Sequence, residues 1–592
     1  MTIWLLKKIS PRRKCCWPIK PRSRRLSTCG KKKNETKKAM RAFRKIINKH
    51  QVDSILPLGW EQWRVGFAVC VLLLAACCFP LSAQAQISFD FKPGGAAKLL
   101  RARSALLNMY VDTLNEQKLV DAAIRGMIED LDPHTQYSTA EEAKRMTEMF
   151  SGHFDGIGVQ YRMLDDTLLV IKTVAGGPSE KAGLQPGDRI VRVNDSIIAG
   201  VKMKQEDINK RLRGKKGTSV RVAVKRSGVK KLLSFELKRK AIPTQSIHCA
   251  YMIRPTVGYI RLETFAMTSH EEFVKAVGQL RNEGMQTLIL DLQNNTGGIL
   301  DAAVRIMNEF LEKDELIVYG EGTNYKRRDY RADGRGTLKQ LPVYVLINYE
   351  SASASEIVAG ALQDQDRGTI VGQRSFGKGC IQSPVMLDDG SMLRVTVAHF
   401  YSPSGRCIQK PFQRGHRKEY EAEILAREKS GEFFSADSVH VNDSLRYETL
   451  KQHRTVFGGG GIVPDEFVPI DTTTVSRQFT RLLAAGIPQD VCLRFWDNHR
   501  TAYEQQFPTL SEYEQKFIVP DELIDEILRQ GEKKDIRAKD ETDAANCRLR
   551  LKKYLRVLMA TDIFDTCEGI MIGNADNQVL QHTLKLIAEN NR

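Results

Sequence analysis

Apolar residues along this chain follow two different periods, and the changes of period divide it into regions. From Leu99 to Phe150 they return every three or four residues, as in LVDAAIRGMIEDLDPHTQY, which predicts helices. From about residue 151 to residue 240 they alternate in short runs between turns, with one helical stretch at Lys204–Leu212. This second pattern predicts a small β domain.

The third region alternates strands and helices in the manner of βαβ units. The predicted elements are the strand Tyr259–Leu262, the helix Phe273–Leu280, the strand Thr287–Leu292, the strand Val343–Ile347, the helix Ser353–Leu362 and the strand Thr369–Val371. Open α/β layers hold reactive groups at the carboxyl ends of their strands. The NNTGG turn and Ser353 both follow predicted strands, so both are candidate site positions.

Beyond Asp471 the pattern is one of polar helices, such as DELIDEILRQGEKKD, without a cluster of candidate ligands. The charged stretch Lys410–Arg454 predicts a surface excursion, and its histidines, His416, His440 and His453, lack metal-ligand spacing. A length of 592 residues with 42% hydrophobic content allows several cores. We therefore divide the chain into a leader (1–85), an N-terminal helical region (86–150), a β domain (151–240), an α/β core (241–470) and a mostly helical C-terminal region (471–592).

The net charge of +19 suggests a nucleic-acid binder until the charges are located. Residues 1–85 contain 19 Lys and Arg but only three acidic residues, which gives 19 − 3 = +16 for this segment and about +3 for the remainder. A chain whose excess charge lies in a leader has little basic surface left for nucleic acid. No nucleic-acid partner is expected.

The basic leader runs into an apolar stretch, Val65–Phe79, and the small-residue site Ala83-Gln84-Ala85. These are the parts of a secretory signal peptide, and the stretch is short for a membrane span. Export to the periplasm or cell envelope of a bacterium is the simplest interpretation, with a mature chain beginning at Gln86. A start at Met40, lipidation of Cys77 within Leu74–Cys77, and a retained single-pass anchor remain alternatives.

Six of the twelve cysteines precede the Ala-Gln-Ala site. The other six are scattered without C-x-x-C spacing: Cys249, Cys380, Cys407, Cys492, Cys547 and Cys567. This distribution indicates neither a metal site nor a dense disulfide framework, although one or two disulfides are compatible with an oxidising compartment.

Two motifs of the β domain carry a resemblance. Gly156-Ile157-Gly158-Val159 resembles the carboxylate-binding loop of PDZ domains, and AGLQPGDRI at residues 182–190 resembles their second hallmark. Consecutive N–H groups in a glycine loop can hold a chain-terminal carboxylate while the adjacent strand edge pairs with the peptide. A PDZ domain is expected here, with residues 156–159 binding the peptide carboxylate.

The stretch SASASE, at residues 351–356, raises the question of whether one of its serines is catalytic. Ser353 and Glu356 fit a capping box, which would be a purely structural role. Downstream, Lys378 stands between two glycines in SFGKG, where no neighbouring side chain covers its stem. Taken alone, this lysine is equally well explained as the solvated tip of a hairpin.

The motifs DLQNNTGG, SASASEIVAGALQD, SFGKGCIQ, YSPSGR and GGGGIVPD occur in this order behind the PDZ-like segment. Together they resemble the carboxyl-terminal processing peptidases, also called tail-specific proteases, over about residues 99–470. The resemblance implies a multidomain α+β fold, with a PDZ domain inserted ahead of an α/β serine protease core of the crotonase/Clp-like ββα type and with helical N- and C-terminal regions.

The resemblance also implies residue roles: Ser353 is the nucleophile, Lys378 its general base, and Gln382 the residue that orients the lysine. A serine hydroxyl needs a base to remove its proton, and a lysine can serve only when desolvation favours its neutral form. Ser351 and Ser355 are the flanking alternatives. In an extended strand Gln382 would lie about 13 Å from Lys378, so it could reach the lysine only if the chain curls.

An oxyanion hole is the remaining requirement of this chemistry. The N–H of Ala354, at the helix start, is one expected donor, and an N–H of Gly297 or Gly298 is the other. The family tends to carry Arg and Pro where Gln293 and Thr296 stand here, which puts the detailed geometry of the hole in question.

The predicted function is therefore that of an exported serine endopeptidase that cleaves proteins near their C-termini, without cofactor or metal. Its expected partners are protein substrates bound through their C-terminal tails. A catalytically inactive PDZ scaffold of the cell envelope is the alternative. Whether the chain forms a homo-oligomer, or attaches to a membrane through an uncleaved leader or a lipidated Cys77, is left open.

Overall fold

The computed structural model describes residues 93–590, so the predicted leader, its cleavage site and Cys77 lie outside the described residues. Helix α1 (Pro93–Met109) belongs to a different unit of the chain from residues 114–590, which fold together. Within the described range, no helix combines the length and the apolar character needed to cross a membrane.

The segment after residue 114 contains two helices and one strand: α2 (Glu116–Ile128), β1 (Gln136–Ser138) and α3 (Ala140–Ser151). Helix α3 begins with a capping box between Thr139 and Glu142. The strand was not predicted, because three residues are too few for a period of two to be visible. It pairs antiparallel with residues 392–394 of the peptidase core, which attaches this segment to the core.

The PDZ domain is an antiparallel sheet with two short helices. Its elements are β2 (His153–Gly156), β3 (Val159–Leu164), β4 (Thr167–Thr173), α4 (Pro178–Ala182), β5 (Arg189–Val193), β6 (Ser196–Ile197), α5 (Gln205–Leu212), β7 (Ser219–Lys225), β8 (Leu233–Lys238) and β9 (Lys240–Pro243). The strand order is β3-β4-β5-β7-β8, with β6 on β5, which leaves β3 at an edge. The chain enters along β2 and leaves along β9, and these two strands pair with each other.

The peptidase core contains two sheets and the helices that cover them. Its elements are β10 (Ile247–Arg254), β11 (Val257–Leu262), α6 (Ser269–Asn282), β12 (Thr287–Asp291), α7 (Leu300–Asn308), β13 (Leu316–Gly322), β14 (Tyr325–Arg331), β15 (Val343–Ile347), α8 (Ala354–Asp364), β16 (Thr369–Gly372), β17 (Cys380–Met386), β18 (Met392–Tyr401), α9 (Arg417–Lys429), β19 (Arg446–Glu448), β20 (Thr455–Phe457) and β21 (Glu466–Phe467). The order of the main sheet is β10-β11-β12-β15-β16-β21, parallel from β11 onward.

Every residue of β12 and β15 is buried, because the main sheet is covered on both faces. One face packs against α6, α7 and α8 in the largest core cluster of the described residues. The other face packs against a C-terminal helix through Val579, Leu580, Leu584 and Ile587. The second sheet has the order β1-β18-β13-β14, with β17 also paired to β18.

The segment 410–454 is mostly exposed, as its charge predicts, but one side of it is buried against the core. Lys410, Tyr420 and Arg427 are buried on that side, which packs on the loop that carries Lys378. The Lys410 N–H donates to the Gly377 carbonyl (2.9 Å), and the Arg427 guanidinium donates to the Ser375 carbonyl (3.0 Å). The two buried cations are paired, Arg427 with the buried Glu432 and Lys410 with the partly exposed Glu423.

The C-terminal helical region consists of α10 (Arg477–Ala484), α11 (Ile487–Gln506), α12 (Leu510–Lys516), α13 (Asp521–Glu532), α14 (Glu541–Ile563), α15 (Thr566–Asn574) and α16 (Gln578–Asn590). Helices α10 to α15 enclose a hydrophobic core of their own that contains Trp496 and Tyr513. A disulfide between Cys249 of β10 and Cys567 of α15 links this region to the peptidase core.

Candidate active site

Two loops meet at the carboxyl ends of the neighbouring parallel strands β12 and β15, as predicted for the NNTGG turn and Ser353. Asn295 of the turn is fully buried and connects the loops: its carbonyl accepts from the Ala352 N–H (3.0 Å) and the Ser355 hydroxyl (2.8 Å). A methyl group on Gly297 would lie 2.8 Å from both Ser353 Cβ and Ala354 N. The turn can approach the serine this closely because residue 297 is glycine.

Ser353 occupies a strained backbone conformation, φ 58° and ψ −112°, between the loop and the first residue of α8. A non-glycine residue with positive φ is uncommon and costs of order 1–3 kcal/mol, and such strain concentrates at functional sites. A sharp strand-to-helix turn of this kind presents a serine hydroxyl at the edge of a sheet.

The flanking serines have structural roles. Ser351 is fully buried and donates to the Leu292 carbonyl (2.7 Å), and Ser355 is fully buried and donates to the Asn295 carbonyl (2.8 Å). Ser353 is partly exposed. Of the three serines in SASASE, it is therefore the one that a substrate can reach.

For Glu356, the sequence pattern predicts only a helix-capping role. Its fully buried carboxylate accepts four hydrogen bonds. Three come from the N–H groups of Ser353 (2.7 Å), Gly377 (2.7 Å) and Lys378 (2.9 Å), and the fourth comes from the Ser375 hydroxyl (2.5 Å). Burial raises the pKa of this carboxyl, and the hydrogen bonds act in the opposite direction. A site with four donors suits a carboxylate, which only accepts. Glu356 thus holds the backbones of both predicted catalytic residues.

Lys378 lies in the loop before β17 and is half-buried rather than exposed at a hairpin tip. Burial lowers the pKa of its ammonium group, and Arg394 acts in the same direction, whereas Cys380, Glu356 and Asp132 oppose the change. Desolvation therefore favours the neutral amine that general-base chemistry requires.

Gln382 reaches Lys378: the lysine Nζ donates to Gln382 Oε1 at 3.1 Å. The expectation that an extended strand would keep them about 13 Å apart does not apply, since Lys378 precedes the strand and the β17–β18 register shifts between Ile381 and Gln382. The two long side chains meet across this irregular stretch.

The orientation of the Gln382 amide is set from the N-terminal segment. Its Nε2 donates to the His134 carbonyl, and because a carbonyl can only accept, Oε1 is left to face Lys378. The turn that presents this carbonyl is held by Asp132, which accepts from the His134 N–H (2.9 Å) and from the Thr396 hydroxyl of β18 (2.8 Å).

The His134 ring connects this turn to the segment 410–454. Its Nε2 lies 2.7 Å from the Tyr420 hydroxyl, which also accepts from Gln409 Nε2 (3.2 Å). Burial and the nearby charge of Lys378 lower the pKa of His134 to about 3. The histidine, interpreted from sequence as structural, is thus a neutral ring in the layer behind Gln382.

The candidate oxyanion donors differ in their availability. The Gly297 N–H donates to the Asn295 side-chain oxygen (2.8 Å), so it is already engaged. Among the described residues, the N–H groups of Gly298 and Ala354 have no hydrogen-bond partner. Of the departures from the family's turn, Gln293 accepts from Asn577 (2.7 Å) and Thr296 is exposed.

The motifs YSPSGR and GGGGIVPD support the site from behind. Arg406 is fully buried and binds Asp364 and Gln363 (2.7 Å each) at the end of α8. The Ile462 N–H donates to the Ser375 hydroxyl (2.7 Å), which in turn donates to Glu356. These motifs fix α8 and the lysine loop relative to each other. The part of the chain described here contains no cluster of three or more His, Cys, Asp or Glu suited to a metal ion.

The predicted carboxylate loop of the PDZ domain connects β2 to the edge strand β3. Gly158 has a φ of +72°. The Ile157 carbonyl accepts from the Ser179 N–H (3.1 Å) and hydroxyl (2.6 Å), and the Gly158 carbonyl accepts from the Val174 N–H (3.0 Å). Within residues 93–590, the N–H groups of Ile157 and Gly158 have no partner, which is the arrangement that an anion-binding loop needs.

Sequence comparison places three family models on the chain: a PDZ domain at residues 156–237, peptidase family S41 at residues 256–415, and a family of unknown function (DUF8443) at residues 478–565. The chain is 33% identical to the carboxy-terminal processing protease CtpB of Bacillus subtilis over 378 residues, which cover 62% of this chain and 74% of CtpB. It is 34% identical to CtpA of the same organism over 328 residues, 55% of this chain and 69% of CtpA.

Among solved structures, a photosystem II D1 C-terminal processing protease is 30% identical, with 52% of this chain and 89% of that chain covered and a TM-score of 0.30. The match to CtpB covers 378 residues, at an identity that establishes common descent. The chain belongs to peptidase family S41 and is a serine-type peptidase of the carboxy-terminal processing protease group.

Proposed function

We propose that this peptidase is exported, that it cleaves proteins near their C-termini with a Ser353–Lys378 dyad, and that its PDZ domain binds the substrate tail. The observation that carries the proposal is the arrangement around Glu356, whose Oε2 accepts from the N–H groups of both Ser353 and Lys378. A shared oxygen keeps the two backbones in register, as a nucleophile and its base require.

In the proposed reaction, the Ser353 Oγ attacks the scissile carbonyl carbon while its proton passes to the neutral amine of Lys378. The oxyanion forms where the N–H groups of Ala354 and Gly298 are available. Lys378 then returns the proton to the leaving amine, which gives an acyl-enzyme. A water molecule, deprotonated by Lys378, releases the new C-terminus and restores Ser353. Gln382 accepts one N–H of the amine and so restricts the orientation of Lys378.

The test is covalent labelling of the mature chain with a fluorophosphonate probe. We expect labelling of the parent, none in Ser353→Ala, and a large loss in Lys378→Ala, with Ser444→Ala as the control because Ser444 is an exposed serine outside the site. Binding of a tail peptide without any labelling would instead support the inactive PDZ scaffold. Mapping the new C-termini in bacterial envelope extract then identifies the substrates.

The export part of the proposal rests on the leader, and it is supported by the disulfide Cys249–Cys567, because such bonds persist in oxidising compartments. We expect cell fractionation and mass spectrometry to find a chain beginning at Gln86 or at a lipidated Cys77. An intact chain beginning at Met1 or Met40 in the cytosolic fraction would contradict it.

A further inference from the structure

The C-terminal helical region contacts the sheet of the PDZ domain through an apolar side chain. Leu493 of α11 is only 2% exposed, although it lies outside the core of its own region. It forms a separate buried cluster with Leu164 of β3 and with Leu169 and Ile171 of β4. An apolar side chain that is fully buried between two domains stabilises their contact.

Charged groups surround this apolar contact with complementary signs. The PDZ domain contributes Arg162, Lys172 and Arg189, and the helical region contributes Asp562, Asp565 and Asp497 opposite them. Arg494 forms the reverse pair with Asp165 (2.7 Å). Lys172 additionally donates to the carbonyls of Thr561 and Phe564 at the end of α14. The two surfaces therefore match in charge as well as in shape.

The interface also contains buried polar atoms without partners. The Asp562 side chain is 2% exposed and lies 3.8 Å from Arg162, too far for a hydrogen bond. Among the described residues, Asp562 Oδ2 and Arg162 Nη1 are buried without a hydrogen-bond partner. Unsatisfied buried groups oppose docking, so they offset part of what the apolar contact contributes.

The helical region is at the same time attached to the peptidase core. Cys567 of α15 forms the disulfide with Cys249 of β10, across a sequence separation of 318 residues. Next to it, Asn574 donates to the Tyr251 hydroxyl (3.0 Å), and α16 packs on the main sheet. The C-terminal helical region thus contacts the PDZ domain through α11 and α14, and the peptidase core through α15 and α16.

The PDZ domain itself is joined to the core in sequence through β2 and β9, and the end of its helix α5 contacts α3 through the ion pairs Arg213–Glu148 (2.5 Å) and Lys210–Glu141 (3.1 Å). Domains joined by short connections move relative to each other unless a further interface holds them. We propose that the C-terminal helical region is an intramolecular brace: it docks on the β3–β4 face of the PDZ domain, and the Cys249–Cys567 disulfide anchors it to the core, so that it sets the orientation of the PDZ domain relative to the peptidase. The docking does not depend on the proposed catalytic dyad.

The brace is tested by the distance between the two domains in the full mature chain. Spin labels are attached through genetically encoded ketone residues at Ile197 of the PDZ domain and Met386 of the core, which are 53% and 60% exposed. The Ser353→Ala background prevents autolysis. We expect one narrow distance distribution in the parent, and one at least about twofold broader in Leu493→Asp and in Arg189→Asp, because the PDZ domain then lacks its contact with the helical region.

The charge-swapped double variant, Arg189→Asp with Asp497→Arg, is expected to restore the narrow distribution. This rescue distinguishes docking from a folding defect, which a second mutation of this kind would not repair. Unchanged distributions in Leu493→Asp and Arg189→Asp, with the native circular dichroism spectrum retained, would overturn the brace. Failure of the double variant to recover would overturn the Arg189–Asp497 contact as its basis.

The anchor is tested separately with the variant Cys249→Ser/Cys567→Ser, which is expected to broaden the same distribution. A distribution as narrow as that of the parent would remove the disulfide from the proposal. Fluorophosphonate labelling of the Ser353 chain is read in parallel. A chain that does not label but whose distances respond as expected would refute the proposed catalytic function and leave the brace standing.

Discussion

Ser353 and Lys378 donate their backbone N–H groups to the same carboxylate oxygen, Oε2 of Glu356, at 2.7 and 2.9 Å. This shared acceptor joins the two loops, together with the Phe376 N–H, which donates to the Ser351 carbonyl (3.0 Å). Disturbing it tests whether their relative position matters for the reaction.

Glu356→Gln is expected to lower kcat by about 100-fold, because an amide NH2 would face one of the donors and displace a catalytic residue by a fraction of an ångström. The matched control is Glu142→Gln, which alters the glutamate of the capping box of α3. Steady-state kinetics on a tail peptide measure both. Equal activity of the two variants would show that Glu356 only caps its helix.

Lys378→Arg keeps the positive charge but cannot provide a neutral base, so it is expected to abolish turnover. General-base catalysis typically contributes about 10²–10⁴-fold, and more than about a tenth of the parental turnover would contradict the base role. Tail-peptide binding, measured by calorimetry, should be retained.

The pH dependence of kcat/KM follows from the same lysine. Because burial lowers the pKa of Lys378, the neutral amine becomes populated, and activity rises, at a pH below the ordinary lysine range. Gln382→Glu places a carboxylate beside the ammonium and should move this acidic limb upward by about 1–3 pH units. Gln382→Leu should lower kcat without that upward movement. If the pH profiles of kcat/KM for the parent and for Gln382→Glu were superimposable, we would conclude that Gln382 does not contact Lys378.

The titration of His134 makes the free energy of unfolding depend on pH. Its pKa is about 3 in the folded protein and about 6.5 when unfolded, so between these values only the unfolded chain binds the proton and stability falls as the pH falls. In urea titrations at several pH values, His134→Gln should reduce this slope by up to about 1.4 kcal/mol per pH unit. An identical slope in the Ser353→Ala background with and without the substitution would contradict a buried neutral ring.

Substrate tails should require a free carboxylate. Charge-assisted hydrogen bonds contribute roughly 1.5–3 kcal/mol, so amidating a tail peptide should weaken its binding to the Ser353→Ala chain about ten- to a hundredfold. Equal affinity of the acid and amide forms would show that the loop at residues 156–159 does not read the terminus, whatever Ser353 does.

The elements that the sequence predicted well are those with strong periodicity. The strand Val343–Ile347 has the predicted bounds, and the helix predicted at Ser353–Leu362 begins one residue later and ends two residues later, at Asp364. Motif order likewise indicated two loops, those of Ser353 and Lys378, whose backbones both donate to Glu356. What could not be predicted depends on contacts distant in sequence, such as that of Gln382 with His134, 248 residues apart. The packing of Lys410 and Arg427 against the core was not predicted, because their charges are paired with Glu423 and Glu432 only in the folded state.

The position of α16 on the main sheet has a consequence for the order of synthesis. Val579, Leu580, Leu584 and Ile587 cover the face that Tyr259, Ile289 and Leu346 would otherwise expose to water. Regions generally fold as the chain emerges, N-terminal first, but this sheet acquires its second cover only after the whole helical region has been made. The peptidase core therefore completes its packing only after translation has passed residue 587.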